Sequence, residues 1–174
     1  MIFIDTSGAA VLSLIACILH EGGHLLAMAV CGANPERITF YGGGIALSKS
    51  GMESLTDAKR LVILSAGCSV NLLAAACFAM QGNDTAAVFG AVNLIICIFN
   101  ALPIGYFDGA EVLELLLTGF VSLRTAEKVK KIIGTALALI ITAGVIVYCV
   151  MCGESVSLSL FFVVLFLIQA QLVS

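Results

Sequence analysis

Apolar runs, each about as long as a bilayer crossing, alternate along this chain with short or polar connections. A hydrocarbon core about 30 Å thick takes about 20 helical residues at 1.5 Å each. Five runs meet that length: Ala9 to Cys31, Leu61 to Gln81, Thr85 to Leu102, Ile132 to Cys152 and Val156 to Val173. All five read as helices, because lipid offers no partner to an open strand edge. The turns Gly82 to Asp84 and Gly153 to Ser155 are very short, whereas Gly32 to Arg60 and Pro103 to Lys131 are long and polar. The expected fold is an all-α polytopic membrane protein with about five transmembrane helices. It forms a single domain over 1–174, with a core at 9–117 and accessory helices at 132–173.

Composition supports this reading. The chain is 61% hydrophobic and 11% charged, with a mean hydropathy of +1.15. Soluble domains are about 45–50% apolar and about 25% charged, so disorder, coiled coils and nucleic-acid binding are excluded. A net charge of -3 offers no basic surface.

The placement of the cations sets an orientation. Arg37, Lys49, Lys59, Arg60, Arg124, Lys128, Lys130 and Lys131 all fall in the two long connections. Cytoplasmic loops carry the excess of Lys and Arg, so both connections face the cytoplasm, the N-terminus lies outside and the C-terminus inside. Met1 to Gly8 lacks a basic n-region, and the first span is expected to be retained. The seven cysteines sit in or at the ends of spans, so no disulfide framework is implied. Cys149 and Cys152 have CxxC spacing, for which packing as small hydrophobes competes with redox or metal chemistry.

The chemistry begins at His20-Glu21-Gly22-Gly23-His24 in the first span. The chain has two histidines, and both sit here at i and i+4 on one helix face, the geometry that lets two imidazoles grip one Zn²⁺. Glu21 is placed as the base that takes a proton from the attacking water and passes it to the leaving amine. The alternative is a set of helix polar residues satisfied by neighbours. Against it, the motif lies about 10 Å from the cytoplasmic end of an apolar span, where ionisable groups are costly and functional by default.

A catalytic zinc takes three protein ligands and leaves one position open. Asp108 is the leading third ligand, in Asn100-Ala101-Leu102-Pro103-Ile104-Gly105-Tyr106-Phe107-Asp108-Gly109, where Pro and Gly permit an unwound stretch at Asn100 to Gly105. Its competing role is to cap a helix starting at Gly109. Cys17, at i−3 from His20, is the rival ligand.

These residues resemble the site-2 protease family of intramembrane metalloproteases, most closely its stage IV sporulation protease branch. The resemblance rests on HExxH at His20 to His24 and on Asn100, Pro103, Asp108 and Gly109 as N-x2-P-x4-D-G. A third match, Ala66-Gly67-Cys68-Ser69-Val70-Asn71, is similar to A-G-P-x-x-N, with Cys68 where the family usually has Pro. The resemblance covers Val11 to Leu117. It implies one zinc held by His20, His24 and Asp108, Glu21 as the catalytic residue, and Asn71 and Asn100 near the substrate. It also implies a bacterial cell membrane as location and an active site toward the cytoplasm. The short outer turn leaves no room for the PDZ domain of some branches, and neither a CBS domain nor the span that precedes the core in the sporulation branch is expected.

Cleavage within a membrane needs water and an unwound substrate. Ile38 to Leu47 reads as two short β-prone runs around Gly42, Gly43 and Gly44. Such a hairpin offers an edge that pairs with an extended substrate, and family members are similar in having a membrane-re-entrant β-loop here. The alternative is a surface hairpin that binds nothing, as Asn71 and Asn93 would be if they only bridge helices. Glu111 and Glu114 share a face of the expected helix Gly109 to Leu117 as solvated or supporting groups, and Arg124 to Lys131 is suited to anionic headgroups.

The expected function is zinc-dependent hydrolysis of a peptide bond in or near a substrate transmembrane segment. The partners are then the bilayer and a membrane-embedded or membrane-tethered protein, with no nucleic acid. The alternative is a catalytically inactive metal-binding scaffold of the same fold. A transporter is disfavoured, because the ionisable groups at membrane depth are confined to one locus.

Overall fold

The structure, a computed structural model, describes residues 8–33, 37–41, 44–48, 52 and 54–152. In chain order these form α1 (Ala9–Cys31), β1 (Arg37–Tyr41), β2 (Gly44–Ser48), α2 (Asp57–Ala79), α3 (Asp84–Ala101), α4 (Asp108–Thr118) and α5 (Leu123–Cys152). Four of these helices, α1, α2, α3 and α5, are long and apolar enough to cross a bilayer. The fifth expected span, Val156 to Val173, lies outside the described residues. The chain divides into two compact units, Met1–Asn100 and Ala101–Ser174.

In the first unit the usual arrangement of a water-soluble bundle is inverted. On α1, Leu14, Ile18, Leu26 and Val30 are exposed, whereas Ala16, His20, Gly23, His24 and Met28 form the buried stripe. The matching stripe on α2 is Ile63, Leu64, Gly67, Asn71 and Ala75, again at helical spacing. Between lipid-facing helices there is no hydrophobic drive to association, so small residues that allow close approach and polar residues that bond across the interface collect there. The approach is close: a Cβ built at Gly23 would stand 2.9 Å from the Ala66 carbonyl oxygen and 2.9 Å from Val70 Cγ2. Asn71, fully buried, donates from Nδ2 to the Ala16 carbonyl at 3.4 Å.

Helix ends are fixed by local chemistry. Gly32 closes α1 in the left-handed region, with φ 79°, and the Ala33 N–H bonds back to Met28. Lys59 Nζ donates to the Cys31 carbonyl at 3.0 Å, placing a cation at the negative end of the α1 dipole. Asn83 Oδ1 accepts the Ala86 N–H at 2.8 Å and starts α3. Helices α2 and α3 return antiparallel on each other: the Phe78 and Phe89 rings meet edge to face at 4.8 Å, and Cys68 Sγ donates to the Cys97 carbonyl at 3.7 Å.

β1 and β2 pair antiparallel, with Arg37 opposite Ser48 and Tyr41 opposite Gly44, and β2 runs beside α1. Gly44 opens β2; Gly42 and Gly43 lie outside the described residues.

In the second unit, α4 and α5 pack together and Lys130 pairs with the Glu114 carboxylate, both about four-fifths buried. Glu114 is therefore a packed ion-pair partner rather than a solvated group. Three boundaries differ from those read in the sequence. Helix α2 begins at Asp57, because its first turn is polar and carries the Asp57–Arg60 pair at 3.6 Å. The basic run Arg124 to Lys131 is the first part of α5, not a connection. Finally, Asn100 and Ala101 are still helical, so the unwound stretch is 102–107 rather than Asn100 to Gly105. Asn100 Nδ2 donates one turn back to the Ile96 carbonyl at 3.0 Å, and Pro103 disfavours helical geometry only from Leu102 onward.

Replacing Gly23 with Leu should force α1 from α2. The expected loss is about 1–3 kcal/mol of overpacking strain, read as a lower unfolding midpoint in detergent micelles.

Candidate metal centre

The helical repeat puts His20 and His24 one turn apart, and the fold then buries both against α2, at 4% and 2% exposure. Their rings meet at 78° with centroids 4.9 Å apart. His24 Nδ1 lies 2.7 Å from the Ile63 carbonyl oxygen. A carbonyl only accepts, so Nδ1 carries the hydrogen, and a neutral ring then presents its Nε2 lone pair inward. A backbone carbonyl that orients a histidine in this way is the usual support for a metal ligand.

The two Nε2 atoms stand 3.3 Å apart. Two nitrogens bound at about 2.0–2.1 Å to one tetrahedral ion are separated by about 3.3–3.4 Å, so the pair is spaced for Zn²⁺. The facing residue is Gly67, and a Cβ there would lie 2.4 Å from His24 Nε2 and 2.7 Å from His20 Nε2. Only glycine keeps the volume in front of both nitrogens clear. The donor set, its spacing and this cleared volume all fit the ion.

Glu21, half-buried, follows the first histidine on α1. Cys68, half-buried on α2, brings Sγ to within 4.8 Å of a His20 ring nitrogen. The sequence reading noted Cys68 only as a departure from a motif and passed over Gly67. The signal for both was the helical register that carries Ala66 to Asn71 past the histidines. Cys17 is half-buried on α1. Asn71 is packed between helices, with its amide on the Ala16 carbonyl, and Asn100 bonds within α3.

Asp108 belongs to the second unit. It is the first residue of α4, 7% exposed, with Phe107 at the cap position. Asp108 thus stands one position inside the helix rather than at its cap position. The turn before it is tight: Gly105 has φ 56°, the Phe107 N–H bonds to Ile104, and a Cβ at Gly109 would come 2.1 Å from the Ala101 carbonyl oxygen. Glycine at 109 lets the start of α4 pack on the end of α3, which fixes where Asp108 sits. The side chains of Cys149 and Cys152 lie outside the described residues.

The sequence model of peptidase family M50 matches residues 81–144, a stretch that contains Asn100, Pro103, Asp108 and Gly109. The structure is similar to that of a site-2 protease from Methanocaldococcus jannaschii, with a TM-score of 0.69, 21% identity, and coverage of 92% of this chain and 74% of that one. The chain has the fold of a site-2 protease. No curated protein matches it. Neither match distinguishes the stage IV sporulation branch.

Substituting Gly67 with Ala should place a methyl group against both imidazoles. Zinc retention after purification should fall on the order of 10–100-fold, as when a group orienting a ligand is lost, while membrane insertion persists.

Proposed function

We propose that this chain is an intramembrane zinc endopeptidase that hydrolyses a peptide bond in or near a substrate transmembrane segment. The observation that carries the reading is the buried pair of Nε2 atoms 3.3 Å apart, facing a volume that Gly67 leaves clear and next to a half-buried glutamate. The family M50 match and the site-2 protease fold support it at the level of the family.

His20, His24 and Asp108 are the proposed zinc ligands. Asp108 earns its place through its position in N-x2-P-x4-D-G, its burial, and the tight turn that presents it at the start of α4. Bound zinc supplies a Lewis acid that polarises a carbonyl and makes water acidic. Glu21 takes the proton of the attacking water and returns it to the leaving amine. His24, held by the Ile63 carbonyl, keeps its ring from turning as charge develops.

The hairpin of β1 and β2 beside α1 supplies main-chain hydrogen-bonding groups to an unwound substrate, and the glycine-rich sequence Gly42, Gly43 and Gly44 is suited to close backbone approach. Such pairing recognises backbone rather than sequence, and suits a membrane-re-entrant position lining a water-filled cavity. Asn100, at the end of α3, is the proposed substrate contact, while Asn71 serves chiefly to tie α2 to α1. The clustering of the cations in 37–60 and 124–131 supports an active site that faces the cytoplasm.

Co-expression with membrane-tethered substrates tests the chemistry. Glu21→Gln should keep its zinc and lose cleavage by at least about 10²-fold; equal cleavage by wild type and variant removes Glu21 as the base. Asp108→Ala should weaken zinc retention by more than about 100-fold, with Cys17→Ala close to wild type, as measured by metal analysis of purified protein. The reverse result assigns the third ligand to Cys17.

A further inference from the structure

Cys68 occupies a place that the proposed chemistry does not use. Helix α2 carries it directly after Gly67, the residue that clears the volume before the two imidazoles, and its Sγ lies within 4.8 Å of a His20 ring nitrogen. Cys68 is thus a candidate ligand beside His20 in the same unit, and His20 and its neighbour His24 are both more than nine-tenths buried. A sulfur and a nitrogen bound to one tetrahedral zinc, at about 2.3 Å and about 2.0–2.1 Å, stand about 3.6 Å apart. Ligation requires Sγ to close the remaining distance, by a turn about the Cys68 χ1 bond. One contact that Sγ makes, a donor contact to the Cys97 carbonyl at 3.7 Å, is weak.

Thiolate sulfur is among the preferred ligands of zinc, and two imidazoles with one carboxylate leave a single position open on a tetrahedral ion. From this geometry we infer that Cys68 is a ligand to the metal held by His20 and His24, and that it closes the coordination position hydrolysis needs, so that the resting enzyme is latent. The step balances: the S–H bond breaks, a sulfur–metal bond forms and one proton passes to solvent. No oxidant is involved. Entry of substrate and water reverses it, with the thiol recovering its proton. The inference rests on the proposed metal site and adds a mode of regulation to it.

Cobalt substitution separates the two. Cobalt(II) loaded into the purified full chain should give a thiolate-to-cobalt charge-transfer band in the near ultraviolet. Cys68→Ala and Cys68→Ser should both lose that band while keeping the cobalt, and Cys17→Ser should retain it. The serine variant preserves side-chain size, which guards against a packing defect in the alanine variant. Cobalt retained by the wild type without a charge-transfer band overturns the inference and leaves the histidine site standing. A band that survives in both Cys68 variants also overturns it. Failure of the wild type to retain cobalt or zinc overturns the metal site itself, and the inference with it. Latency has its own readout: Cys68→Ala should cleave a membrane-tethered substrate several-fold faster than wild type, and equal or slower cleavage overturns the latent state.

Discussion

The close contact between α1 and α2 is the constraint on which the first unit depends. It exists because Gly23 and Gly67 present no side chain where the helices cross. At Gly23 the backbone of α2 is near enough that a single added carbon would collide with the Ala66 carbonyl. At Gly67 the same absence leaves room for two imidazole rings. One packing device therefore does two things: it brings the helices together without a hydrophobic drive, and it leaves a polar volume inside the contact.

That volume is costly in lipid unless its polar groups are satisfied. Main-chain carbonyls meet part of that cost. Ile63 accepts from His24 and Ala16 accepts from Asn71, so each helix uses the backbone of the other. These bonds run across the helix pair at separate levels and fix its rotation as well as its spacing. A histidine held in this way cannot turn its Nε2 away, and rigidity of that kind is what a catalytic metal site requires of its supports.

In the second unit the decisive feature is a break rather than a contact. Pro103 stops α3, Gly105 turns the chain, and Gly109 lets α4 start against the end of α3. The outcome is a buried carboxylate on the first residue of a helix, where the N-terminal end of the dipole favours its negative charge. A motif that spells Asn, Pro, Asp and Gly at fixed spacing is thus a recipe for a turn as much as for a ligand.

The sequence by itself determined the apolar helices α1 and α3 and the shared face of the two histidines. Uninterrupted apolar length gave α1 at its observed ends and α3 to within one residue, and the i, i+4 histidines declared their shared face, because both signals depend only on helical geometry. Charged first turns hid the true starts of α2 and α5, since a run of Lys and Arg looks the same in a loop as on the exposed turn of a helix. Only the tertiary structure decided that Gly67 faces the two rings, that Cys68 comes within reach of His20, and that Asn71 spends its amide on the Ala16 carbonyl. Such facts belong to the rotation of one helix against another. That rotation is set by where side chains are missing, and one chain's pattern of polar and apolar letters does not record it.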